Sequence, residues 1–140
     1  MTPEENKALA RRAIDEVWSK GNLEVAADVY GPNFVSHQHS HSHLRDVRGF
    51  PALVEFVREF RQAFPEFHDT IDDQVAEGDK VVTRFTSTGA HRRALMGLQP
   101  TNKRANWMGI VIDRIEEGKI AEQWVSWDLF GMMQQLRAIA

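Results

Sequence analysis

The sequence contains no cysteine, and that absence removes disulfide staples, thiolate metal sites and cysteine nucleophiles together. Long apolar runs are missing as well. Nothing approaches the roughly 20 apolar residues of a membrane span, and the opening "MTPEENKALARR" is polar and charged where a secretory signal would carry an apolar core. There is no surplus of positive charge either: 17 basic residues stand against 20 acidic ones, for a formal net charge of −3. Broad attraction to nucleic acid or to an anionic membrane is therefore not expected, and the default location is cytoplasmic. No internal repeat, low-complexity linker or domain boundary interrupts the chain. At 140 residues, 42% hydrophobic and 26% charged, it has the length for one sizeable core and not for two. A single domain over residues 1–140 is expected.

What is present reads as helices first and strands later. "TPEENKALARRAIDEVWSKGN" opens with Thr2 as N-cap, Pro3 at the first helical position and Glu5 placed for a capping box. Leu9, Ala13, Ile14, Val17 and Trp18 then recur at helical spacing until Gly21 stops the run. A short second helix fits "LEVAADVYG", and "FPALVEFVREFRQAFP" restores a helical stripe through Leu53, Phe56, Val57, Phe60 and Phe64. After Pro65 the period becomes two. Two hairpins follow, turning at "EGDK" and "EEGK", and "DLFGMMQQLRAIA" closes as an amphipathic helix in which Gly131 is a mild penalty. This order predicts an α+β fold with a four-stranded antiparallel meander. The third strand is apolar on both faces, with Met108, Ile110 and Ile112 on one and Trp107 and Val111 on the other. The helices cover one face well, so a homodimer through the other is expected.

The segments "AFPEFHDTIDDQVAEGDKVVTRFTSTGAH", "GIVIDRIEEGKIAEQW" and "WDLFGMMQQL", with helix one and "GPNFVSH", resemble the SnoaL-like polyketide cyclases of the nuclear transport factor 2-like superfamily. The resemblance covers nearly the whole chain. It implies a cone-shaped, strongly curved antiparallel sheet wrapped on the N-terminal helices (a cystatin-like α+β barrel), with a pocket at the open end. It also implies that the aspartate near the junction of the last strand and the C-terminal helix, here Asp128, is the acid/base, and that no metal or organic cofactor is used. The family's histidine after "FV-x" corresponds to His37.

One carboxylate can remove a carbon-bound proton and later protonate the alkoxide of an aldol closure, given burial that raises its pKa. Asp128 suits that role, and equally suits the cap of the last helix. His91, at the end of the second strand on the core side, is either a donor to a substrate oxygen or an ordinary loop-edge histidine. Gln123 is a candidate to orient a ligand carbonyl, and Trp18, Trp107 and Trp124 to supply flat walls for a substrate. His37, His39, His41 and His43 alternate in "SHQHSHSH". Extended neighbours two apart lie about 6.5 to 7 Å from one another, which is poor for tetrahedral closure. The loop is therefore read as solvated, with His37 at the pocket mouth and no metal. Arg92, Arg93, Lys103 and Arg104 form a local basic cluster, read as solvating a loop or steering an anion. The expected function is cofactor-free acid/base chemistry, an aldol cyclisation or isomerisation, on a small hydrophobic carbonyl compound. A non-catalytic binder of a small ligand is the rival. An epoxide hydrolase is a third reading, which requires a second carboxylate in the pocket.

Overall fold

Thr2 starts the first helix as its sequence predicts: its hydroxyl accepts the Glu5 amide hydrogen at 3.1 Å, with Pro3 at the helix start. The fold was taken from a computed structural model that describes residues 1–38, 46–95 and 97–136. Helix α1 (Pro3–Arg12) runs into a π-helical segment, Ala13–Ser19. Widened turns of this kind are rare and collect at functional sites. Helix α2 (Leu23–Val29) leads directly into strand β1 (Tyr30–Gln38), and β2 (Val47–Arg48) precedes helix α3 (Phe50–Ala63). Strands β3 (His68–Glu77), β4 (Lys80–Ala90), β5 (Arg104–Glu116) and β6 (Lys119–Trp127) follow, and helix α4 (Leu129–Gln135) comes last.

The six strands form one sheet in the order β2-β1-β6-β5-β4-β3. Both predicted hairpins are present, β3 with β4 and β5 with β6. The second turns through Glu117 and Gly118, whose positive φ values of 52° and 77° suit a tight two-residue hairpin. Two expectations need correction. Tyr30 ends the second helix as its C-cap, its amide donating to the Ala26 carbonyl, and at once opens a strand; the stretch from there supplies β1 and β2, so the meander gains two strands. The new pairing of β1 with β6 is parallel, which makes the sheet mixed. Alternation explains it: Phe34 and Ser36 are buried on the face that β6 completes with Gln123.

The helices pack against the inner face. Val17, Val29, Tyr30, Phe34, Leu53, Val57 and Ile120 form one cluster, and Phe60, Phe64, Phe67, Trp107, Leu129 and Met132 a second. On the outer face of β5, Met108 and Ile110 keep 52% and 48% of their surface exposed.

Candidate functional site

Alternation along the sheet points Trp107, Val111 and Asp113 of β5 inward, beside Gln123, Val125 and Trp127 of β6; the register pairs Val111 with Val125 and Asp113 with Gln123. Opposite them, Phe56 and Phe60 descend from α3, and Ala13, Ile14 and Trp18 from the π-helical segment. These residues, with Phe67, Phe85 and Tyr30, enclose a cavity of about 90 Å³. A cavity of about 150 Å³ accepts one benzene ring, so a larger guest requires the aromatic walls to move.

The geometry of the walls rests on specific contacts. Phe60 sits edge-on to Trp18, Trp107 and Trp127, at centroid distances of 6.3, 6.2 and 6.3 Å. The Arg61 guanidinium holds the end of the π-helical segment, donating to the carbonyl oxygens of Trp18 and Ser19, each at 2.7 Å. Ser19 in turn accepts the Asp69 amide hydrogen at 2.9 Å, which ties the segment that carries Trp18 to β3.

Two carboxyl groups lie inside this apolar enclosure. Asp113 is 2% exposed and accepts a hydrogen bond from Gln123 Nε2 to Oδ1 at 2.9 Å. Burial pushes its pKa up to about 7, although the Gln123 bond opposes the rise. Asp69, paired across the sheet with Ser87, accepts a hydrogen bond from the Ser87 hydroxyl. Burial likewise raises its pKa to about 7, against the pull of Ser87 and with a smaller push from Asp15. A carboxyl group poised near neutrality is suited to take up and return a proton. In the same lining, Tyr30 accepts a hydrogen bond from Trp18 Nε1 at 3.0 Å, and its own hydroxyl proton meets no acceptor among the described residues. Burial, with the two carboxyls adding to it, raises the Tyr30 pKa, so the phenol stays a neutral donor.

Of the residues singled out from sequence, Trp18, Trp107 and Gln123 come together at this cavity. Gln123, however, already has both amide ends engaged, by Ser36 and by Asp113. Asp128 lies outside the walls: it is exposed, caps α4, and its Oδ1 accepts the Gly131 amide hydrogen at 2.8 Å. His91 is fully buried but elsewhere, tilted over Phe64 at 5.5 Å, with Nδ1 accepting the Thr101 amide hydrogen at 3.2 Å. Burial lowers its pKa. His37 and Trp124 are on the outer face. His37 lies between Asp46 (3.3 Å) and Glu122 (2.7 Å), and its ring stacks on Trp124 at 5.6 Å. That position follows from parity, since Ser36 and Gln38 take the inward places on β1. His39, His41 and His43 lie outside the described residues. Among the described residues no group of three or more His, Asp or Glu side chains is placed to hold a metal ion. No helix among them is long and apolar enough to cross a membrane.

Sequence reasoning missed Asp113, Asp69 and Tyr30. A signal was available for Asp113, which shares the parity of Trp107 and Val111 in "NWMGIVIDRI".

The model of the SnoaL-like polyketide cyclase family matches residues 8–136. The chain belongs to that family. Among solved structures, this SnoaL-like chain is similar to a protein named as a SnoaL-like polyketide cyclase from Jannaschia sp. CCS1 (24% identity, TM-score 0.88, covering 99% of this chain and 95% of that one). It is similar also to one named as a polyketide cyclase from Acidithiobacillus ferrooxidans (27% identity, TM-score 0.83, covering 97% and 96%). An epoxide hydrolase of M. tuberculosis shares the fold at 15% identity, with a TM-score of 0.73 over 97% of this chain and 92% of that one. A search of curated proteins finds no match. The SnoaL-like assignment agrees with the curled six-stranded sheet and its N-terminal helices, and the expected α+β architecture stands.

Proposed function

We propose that the protein performs cofactor-free acid/base chemistry, an aldol-type cyclisation or isomerisation, on a small hydrophobic carbonyl compound held in the aromatic cavity, with Asp113 as the acid/base. The observation that carries this reading is a buried carboxyl group in the wall of that apolar cavity, where the loss of water pushes its pKa up to about 7. Family membership supports the class of reaction.

In the step envisaged, Asp113 takes a proton from the carbon beside a carbonyl group, and the C–H electrons become those of an enolate. The Tyr30 hydroxyl donates a hydrogen bond to the enolate oxygen. The enolate carbon attacks a second carbonyl carbon, forming the new C–C bond, and the resulting alkoxide recovers the proton from Asp113. A carboxyl group and a neutral donor suffice, so no cofactor is required. Asp128 becomes a helix cap in this scheme, and the role expected of it passes to Asp113. The remainder of the reading is a cytoplasmic homodimer that joins through the outer face of β5, without nucleic-acid or membrane partners; exposed Met108 and Ile110 support the interface.

The test is hydrogen–deuterium exchange at the α-carbon of 1-tetralone and related aryl ketones in D₂O, followed by NMR. Wild type should accelerate exchange, and Asp113→Asn should lose about 10²- to 10⁴-fold of it. Full activity in Asp113→Asn would exclude this assignment, and binding without exchange across the panel would favour the ligand-binding reading. Two carboxyl groups in one cavity also meet a requirement of the epoxide hydrolase reading. Conversion of styrene oxide to its diol would decide for that alternative.

A further inference from the structure

Along the wall that carries Asp113 runs a line of side-chain hydrogen bonds with one sense, in which Gln38, Gln123 and Asp113 face the cavity. Gln38 Nε2 donates to Ser36 Oγ at 2.7 Å, Ser36 Oγ donates to Gln123 Oε1 at 2.9 Å, and Gln123 Nε2 donates to Asp113 Oδ1 at 2.9 Å. The line starts in β1, crosses β6 and ends in β5. Its polarity is fixed at both ends. An ionised carboxylate only accepts, so the Gln123 amino group must face Asp113 and the Gln123 carbonyl must face Ser36. The Gln38 amino group only donates, so the Ser36 proton points away from it, toward Gln123. Ser36 is 1% exposed and Gln123 7% exposed. Ser36 does not line the cavity, so whatever it does for the chemistry is done through Gln123.

We propose that Ser36 and Gln123 are positioning residues that hold Asp113 Oδ1 as a standing hydrogen-bond acceptor, so that the proton taken from substrate travels on Oδ2 and returns from the same oxygen. This rests on the reading of Asp113 as the acid/base. A carboxyl group with both oxygens free could accept the proton on either one, and rotation would carry it away from the reacting carbon. With Oδ1 occupied, protonation there would require Gln123 to turn its amide over, and Ser36 opposes that turn because its donated proton would then face an amino group. Among the described residues Asp69 has no such line behind it: its carboxyl group accepts from the Ser87 hydroxyl, which can rotate to donate or accept as the carboxyl titrates.

The experiment follows the side-chain carboxyl ¹³C resonance of Asp113 through a pH titration, in wild type, Ser36→Ala, Ser36→Thr and Gln123→Met, with no substrate present. Ser36→Ala frees the amide to turn over and should raise the Asp113 midpoint measurably. Gln123→Met removes a hydrogen bond to the charged form and should raise it by about one pH unit or more. Ser36→Thr keeps the hydroxyl and should restore the wild-type value, and the Asp69 midpoint should stay in place throughout. The base limb of the 1-tetralone exchange profile should move with the Asp113 midpoint. An unchanged Asp113 midpoint in both Ser36→Ala and Gln123→Met overturns the proposal, as does an equal shift at Asp69, which would mark a general loosening. Should Ser36→Ala not fold, Gln123→Met decides alone. Because the titration needs no turnover, its failure is distinct from that of the acid/base reading, which Asp113→Asn tests.

Discussion

Gly21 and Arg61 share one space: a Cβ on Gly21 would fall against the Arg61 side chain, 3.0 Å from its Cδ, and the Gly21 φ of +70° lies in the left-handed region. The arginine that occupies this place is the one that ties down the carbonyls of Trp18 and Ser19. Gly21→Ala is therefore expected to cost about 1–2 kcal/mol through backbone strain and displacement of the guanidinium. Thermal denaturation measures the loss. Tryptophan fluorescence should change with it, since Trp18 lines the cavity; an unchanged melting temperature would refute the close fit.

Asp113→Asn should stabilise the protein at neutral pH. The folded-state pKa of Asp113 is raised, so between about pH 4 and 7 the folded state binds more protons than the unfolded one, and stability falls as pH rises through that window. The displacement from 3.8 to about 7 corresponds to about 4 kcal/mol at most. Asn keeps the oxygen that Gln123 reaches and never ionises. Its advantage over wild type should be largest above pH 7 and vanish near pH 4, as urea denaturation at several pH values would show. His91 acts in the opposite sense, because its lowered pKa costs stability as pH falls below its ordinary range, and it cancels in the comparison of variant with wild type.

Asp128 should behave as a cap. Asp128→Asn is expected to be nearly silent in stability and in ketone exchange, whereas Asp128→Ala should cost about 1 kcal/mol in denaturant titration. Loss of exchange in Asp128→Asn with stability intact would return the acid/base role to this residue.

If the outer face of β5 joins two copies, Ile110→Arg should leave a stable monomer. Light scattering at micromolar concentration reads the mass directly, and a wild-type monomer under those conditions would remove the interface.

The fold was legible wherever a single periodicity held over a whole element. The 3.6-residue stripe from Leu53 to Phe64 and the alternation in "NWMGIVIDRI" each had one face to satisfy. β1 was not legible, because "YGPNFVSHQ" carries Pro32 and four polar residues, and its partners are the two-residue β2 and a strand that lies far later in the chain. The same distance hid the site. The family resemblance points to Asp128 through its place between the last strand and the closing helix, which is visible locally, while the burial of Asp113 depends on Tyr30, Phe60 and Trp107 converging from three elements. Gly131, read as a mere penalty, is explained by its neighbour: a Cβ there would collide with the Asp128 carboxyl group that caps the helix.

Translation makes β1 first among the strands and β6 last, yet the two are parallel neighbours in the sheet. Ser36 must wait 87 residues for Gln123, and a pairing across so long a stretch is slow to close. Until residues 119–127 have left the ribosome, Phe60 and Trp107 have no Trp127 to close over them, and the edge of β5 is unpaired. The nascent chain is then most prone to stick to other chains. Slower elongation over codons 119–127 should accordingly lower the soluble yield without altering the melting temperature of the molecules that do fold.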